Sequence, residues 1–181
     1  STTNLITNGN FEAGNTGFTT DYMPGTSSCY GLGYLDCEGT YAVINNPQLG
    51  HAGFAPCGDH TSGSGLMMVL NGSASLQNVW CQNINVIPDM DYAFTAWVTA
   101  VVSSSPPILQ FSINGTPIGS IFNSSGVVCN WEKYEAIWNS GGNTTAEICI
   151  VNLNTATGGN DFAIDDLSFR KFCEVRDTMK V

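Results

Sequence analysis

The sequence predicts an all-β domain, two antiparallel sheets packed face to face with about nine strands between them. Three observations predict it: sustained 3.6-residue periodicity is almost absent, short alternating apolar and polar runs recur through the second two-thirds, and Gly, Asn, Pro and Ser punctuate those runs. Strands with no helices to cover them bury their apolar faces by stacking one sheet on another.

Taken in order, the expected strands are Leu5 to Glu12, Tyr41 to Asn45, Gly65 to Leu70, Ser75 to Ile87, Asp91 to Val102, Ile108 to Ile113, Trp131 to Trp138, Glu147 to Leu153 and Phe162 to Phe169. Turns are marked by Asn71-Gly72, Pro88-Asp89, Ser103 to Pro107, Asn114-Gly115, Gly141-Gly142-Asn143 and Gly158-Gly159-Asn160. Side chains alternate across a strand, so parity selects a core: Tyr92, Phe94, Ala96 and Val98; Leu109, Phe111 and Ile113; Tyr134, Ala136 and Trp138; Trp80, Ile84 and Val86. Each ring among them buries roughly 150 to 250 Å². The opposite parity carries Thr95, Trp97, Thr99, Gln110, Ser112, Glu135 and Asn152, a polar surface with one indole.

Residues Phe18 to Cys57 are the least regular stretch and hold Tyr22, Tyr30, Tyr34 and Tyr41. Long loops of this kind are functional or disordered, and Cys29 and Cys37 argue for order. The seven cysteines lack the CxxC spacing of a zinc or redox site, so disulfides in an oxidising compartment are expected. Cys29 with Cys37, eight residues apart, is the first pair expected, and the odd count leaves one thiol over.

Five Lys and Arg against 15 Asp and Glu give a net charge of −10, which repels phosphate backbones and anionic lipid. Nucleic acid is therefore not an expected partner, nor is membrane insertion, because no apolar run is long enough. Residues 1–170 read as one module, and the charged segment 171–181 reads as a connector to a following one.

The opening Asn4-Leu5-Ile6-Thr7-Asn8-Gly9-Asn10-Phe11-Glu12 and the closing Asn160-Asp161-Phe162-Ala163-Ile164-Asp165-Asp166-Leu167-Ser168-Phe169 resemble the two ends of a jelly-roll family that spans carbohydrate-binding modules of families 4, 9 and 22 and extracellular MAM domains. Asp59-His60-Thr61-Ser62-Gly63-Ser64-Gly65 is similar to a MAM signature, and the run from Trp80 to Gly115 resembles modules of secreted bacterial adhesion and gliding-motility proteins. The resemblance implies a jelly-roll β-sandwich whose first and last strands lie side by side, with a structural Ca²⁺ near their junction. Asn10, Glu12, Asp59, Asp165 and Asp166 are the acidic and amide candidates for its ligands; carboxylates brought together from distant parts of a chain repel unless exposed, protonated or bridged by a hard cation.

Catalytic constellations are scarce. His51 and His60 are the only histidines, and the His51, Cys57, Asp59 and His60 group matches no zinc spacing; of the carboxylate pairs available for glycoside hydrolysis, Glu132 with Glu135 and Glu38 with Asp36, Glu132 and Glu135 are three apart, on opposite faces of a strand. Sugar binding needs flat rings flanked by amides, carboxylates and hydroxyls. Trp97 is the expected platform, with Gln110, Glu135 and Asn152 beside it if their strands share a sheet, and Tyr30, Tyr34 and Tyr41 on loops; the competing expectation is that Trp97 plugs against a crossing loop. The expected function is a non-catalytic, secreted or cell-surface module that binds a glycan or cell-surface polysaccharide. Alternatives are a structural or protein-binding repeat contacting neighbouring protein modules and, third, a divergent polysaccharide-degrading enzyme. Four Asn-x-Ser/Thr sites, at Asn71, Asn114, Asn123 and Asn143, and Asp177-Thr178-Met179 match glycosylation patterns.

Overall fold

The structure, a computed structural model, describes residues 3–172. Its strands are β1 (Met23–Pro24), β2 (Thr40–Ile44), β3 (Met67–Leu70), β4 (Asn78–Asn85), β5 (Asp91–Ala100), β6 (Ile108–Ile113), β7 (Thr116–Asn123), β8 (Glu132–Asn139), β9 (Thr145–Asn152) and β10 (Phe162–Lys171), with one 3-10 turn at Pro47–Leu49. They form a six-stranded sheet in the order β1-β2-β3-β10-β5-β8 and a four-stranded sheet in the order β4-β9-β6-β7. Pairing between strands is antiparallel apart from the two-residue β1–β2 pair. The two-sheet, all-β sandwich expected from the alternation is the fold observed.

The parity-derived core lies between the sheets. Trp80, Ile84, Val86, Tyr92, Phe94, Ala96, Val98, Leu109, Phe111, Ile113, Tyr134 and Ala136 are buried in one cluster, and Trp138 packs on its rim. Phe111 sits at the centre, its ring stacked on Tyr134 at 3.7 Å and tilted against Phe94 at 5.6 Å. A second cluster lies on the outer side of the six-stranded sheet, where Leu35, Phe54 and Cys57 from the long irregular stretch pack on Met67, Val69, Val101 and Ala163. That stretch is thus an ordered cover. Disulfides Cys29–Cys37 and Cys57–Cys129 fasten it, the first being the pair expected from spacing, and Cys81–Cys149 joins β4 to β9.

The expected first strand differs. Residues 5–12 run beside β10, with the Leu5 amide donating to the Phe169 carbonyl (2.8 Å) and the Leu167 amide to the Gly9 carbonyl (2.9 Å). Left-handed backbone at Asn8 (φ 54°) and Phe11 (φ 55°) turns the segment before a ladder can continue. β7 and β1 were not expected, since β7 carries Pro117 and a left-handed Gly119 and is mostly exposed. Asn152 is also turned the other way: it follows the parity of Ile148 and Ile150, is buried, and bonds Asn160 rather than solvent. The proposed connector 171–181 lies outside the described residues except for Lys171 and Phe172, which extend the β10 edge through the Phe172 amide and Asp91 carbonyl (2.8 Å). Asp177-Thr178-Met179 and Cys173 lie outside them too. No described helix is long and apolar enough to cross a membrane.

Candidate functional site

A two-sheet sandwich has two outer faces, and here they are treated differently by the chain. The cover segment blankets much of the six-stranded sheet. The outer face of the four-stranded sheet is open. Across it run Cys81, Cys149, Ser112 and Pro117 in register, with Thr19 bridging to Cys81 outside β4, and beside this row Asn83 pairs with Glu147 and Asn85 with Thr145. Asn83, Asn85, Thr145 and Glu147 are exposed, while Gln110 and Ser112 are half-buried. Parity builds this face: Trp80 and Ile84 point inward, so Asn83 and Asn85 point out.

Two adjoining depressions of about 400 Å³ and 430 Å³ mark the β4 side of the face, meeting at Gly17, Gln82 and Asn83. The first is walled by Phe18, Thr19, Cys81 and Glu147, the second by Leu5, Thr7, Ile84 and Asn85. Gln82 holds the N-terminal segment in place, accepting from the Thr7 amide (2.9 Å) and donating to the Thr7 carbonyl (3.0 Å) and to Gly17. Phe18 is fixed edge-on against Phe11 and Tyr41. The groove therefore offers amides, hydroxyls and one carboxylate over an apolar floor made by a disulfide. Among the lining residues Glu147 is the sole acid, whereas glycoside hydrolysis through paired carboxylates needs two.

The ligand-binding residues expected from the sequence do not converge. Trp97 and Glu135 stand on the six-stranded sheet; Gln110 and Asn152 belong to the other, and only Gln110 reaches the open face. Trp97 is plugged, because the His60 ring stacks on it at 3.9 Å with Trp131 edge-on to His60 at 5.7 Å. Glu135 pairs with Lys133 at 2.9 Å. Of the tyrosines, Tyr41 is buried and donates to Asn15 Oδ1 (3.0 Å), Tyr34 packs on the outer cluster, and Tyr30 alone is exposed, 74% of it. Asn83, Asn85 and Glu147 were missed; the parity that places Ile84 inward implies Asn83 and Asn85, whereas Glu147 was hidden by reading Asn152 as outward.

The acidic candidates meet, but around amides. Asp165 accepts from the amides of Asp166 (2.8 Å), His60 (2.9 Å) and Thr61 (3.2 Å) and from the Thr61 hydroxyl (3.3 Å). Asp59 accepts from the Gly65 amide (2.7 Å), the Ser62 amide (2.9 Å) and the Ser62 hydroxyl (3.1 Å); Glu12 takes the Leu66 amide (2.7 Å). Asp166 accepts from the Thr61 hydroxyl (2.8 Å) and contacts His60 Nδ1 (2.6 Å), and exposed Asn10 caps the Glu12 amide. Burial pushes Asp165 up to about 7 against the pull of the Asp166 amide; at Asp59 burial is outweighed by the Gly65 and Ser62 donors, and its carboxyl lies below the usual range. Three of the donors to Asp165 fall on Oδ2 and one, the Asp166 amide, on Oδ1, and Glu12 accepts through Oε1, so amides and hydroxyls hold this junction together while leaving carboxylate lone pairs over. No three of Glu12, Asp59, His60, Asp165 and Asp166 bring one ligand atom each within 4.8 Å of the others. The zinc grouping fails as well, since Cys57 is in a disulfide.

No protein-family model and no curated protein matches the chain. Solved structures do match in fold. The xylan-binding domain CBM22-1 of Paenibacillus barcinonensis Xyn10C is 13% identical with a TM-score of 0.57, over 94% of this chain and 96% of that one. TmCBM61 in complex with β-1,4-galactotriose is 14% identical, TM-score 0.58, over 94% and 99%. A Stig cyclase, Fisc from Fischerella sp. TAU, is 10% identical, TM-score 0.64, over 95% and 98%. The chain spans 21% of the enzymatically active domain of a bacteriophage CBA120 tailspike. At such identities the likeness is one of fold, and the jelly-roll resemblance stands at that level.

Proposed function

We propose that the chain is a non-catalytic glycan-binding module of a secreted or cell-surface protein, and that its ligand lies along the open face of the four-stranded sheet. The observation that carries the reading is the pair of adjoining grooves lined by Asn83, Asn85, Thr19 and Glu147, on a sheet face the chain leaves uncovered. Amides and a carboxylate satisfy sugar hydroxyls, and the disulfide floor with Phe18 offers apolar contact for a pyranose face. Support also comes from fold neighbours described as binding xylan and galactotriose. Three disulfides favour an oxidising, extracytoplasmic setting.

A glycan array followed by calorimetry tests it. Saturable binding to a polysaccharide fragment is expected, weakened about tenfold in Glu147→Ala because a hydrogen bond to a charged group contributes about 1.5 to 3 kcal/mol. Trp97→Phe, beneath His60, should leave affinity unchanged. Silence across the array, or full affinity in both Glu147→Ala and Asn83→Ala, would sink the reading. A second reading, a protein-binding repeat, is favoured by exposed Tyr30, Leu32 and Leu49 on the cover, and concentration-dependent self-association in sedimentation, lost in Tyr30→Ser, would support it.

A further inference from the structure

At one corner of the six-stranded sheet the ends of three neighbouring strands meet. Glu38 lies two residues before β2, Asn71 directly after β3, and Asp161 directly before β10. Backbone bonds fasten the corner: the Gly39 amide reaches the carbonyls of Asn71 (3.2 Å) and Gly72 (3.1 Å), and the Gly72 amide donates to Asp161 Oδ1 (2.9 Å).

Two acceptor oxygens at this corner are buried with no partner, Asn71 Oδ1 and Glu38 Oε2. Asn71 is only 5% exposed, and its Nδ2 donates to the Leu35 carbonyl at 2.7 Å, which fixes the amide so that the unpaired oxygen points the other way. Asp161 is 7% exposed. Buried acceptors without donors are rare in native proteins and call for an ion, a proton or a water. The neighbours are acidic rather than basic.

We propose that Glu38, Asn71 and Asp161 form a site for a hard divalent cation of the calcium type. The donor set is oxygen only, two carboxylates and an amide carbonyl, and two carboxylates balance a double charge. Such a cation ties the beginning of β2 and of β10 to the end of β3, and its position differs from the Glu12, Asp59 and Asp165 junction where the amides already do this work.

The test uses the full chain stripped with chelator and then titrated with CaCl₂, read by melting temperature and by displacement of bound terbium luminescence. Calcium should raise the melting temperature. Glu38→Gln and Asp161→Asn should each weaken calcium about tenfold or more, at least the loss seen when a supporting group around a metal is removed, while Glu12→Gln changes nothing. A melting curve indifferent to calcium overturns the proposal, as does binding that survives Glu38→Gln and Asp161→Asn but is lost in Glu12→Gln. Glu38 is partly exposed, so Glu38→Gln carries the test should Asp161→Asn fail to fold.

Discussion

Asp36 organises the Cys29–Cys37 loop as a single acceptor serving four donors. Its carboxylate takes the Ser28 hydroxyl (2.5 Å) and the amides of Cys29 (2.5 Å), Tyr30 (2.9 Å) and Leu32 (2.8 Å). Burial opposes ionisation, yet the Ser28 hydroxyl and those amides outweigh it and hold the carboxyl well below its ordinary value. For a carboxyl lowered in the folded state, the stabilising contribution is complete above the unfolded value near 3.8 and is lost as pH falls through the lowered one. Amide hydrogen exchange at Tyr30 and Leu32, corrected for intrinsic rates, should therefore stay protected at pH 5 and weaken only in strong acid. Asp36→Asn should lower that protection at pH 7, and equal protection in the variant would remove Asp36 from this role. Cysteine spacing made the disulfide legible, but the sequence offered Asp36 only as a carboxylate beside Glu38, not as the loop's acceptor, because most of its partners are backbone amides with no residue signature.

Among the elements, parity was legible wherever a strand is half buried, as in β5, β6 and β8, whose inward residues are those of the core. Phe111→Ala should therefore cost about 3 to 5 kcal/mol, measured by denaturant unfolding, since the ring fills the space between Tyr134 and Phe94. A loss under about 1 kcal/mol would mean the site collapses around the gap or that the core is not packed as described. Illegible elements were those whose pattern is set by something other than burial. β7 is an exposed edge, so its side chains need not alternate, and residues 5–12 alternate but are bent by two left-handed residues. Asn152 keeps the parity of Ile148 and Ile150 and so faces inward; its polarity suggested the outward face, and the buried Asn160 that satisfies it is visible only once β9 and the β10 approach are folded together.

For the molecule as a whole, long-range closure does much of the stabilising. Cys57–Cys129 links residues 72 apart and pins the cover to the approach to β8. Replacing both cysteines with serine should cost about 4 kcal/mol on the chain-entropy estimate for a loop of that length, seen as a lower melting temperature, with the interior aromatic core still formed. An unchanged melting temperature would show the cover held by packing alone. The sandwich was legible from composition and alternation, while the identity of the open face was not: it depends on Leu35 and Phe54 reaching Met67 and Ala163, contacts between segments that share no local pattern.

The Tyr134 hydroxyl donates to the carbonyl of Ile118, so β8 at the margin of one sheet is buttoned to β7 at the margin of the other. Exposed sheet margins are templates on which foreign strands polymerise, and this one bond occupies a carbonyl of the β7 margin while the rest of that edge stays exposed. A strand docking along β7 therefore meets one acceptor already taken, at Ile118, where it has to displace Tyr134 to continue its ladder.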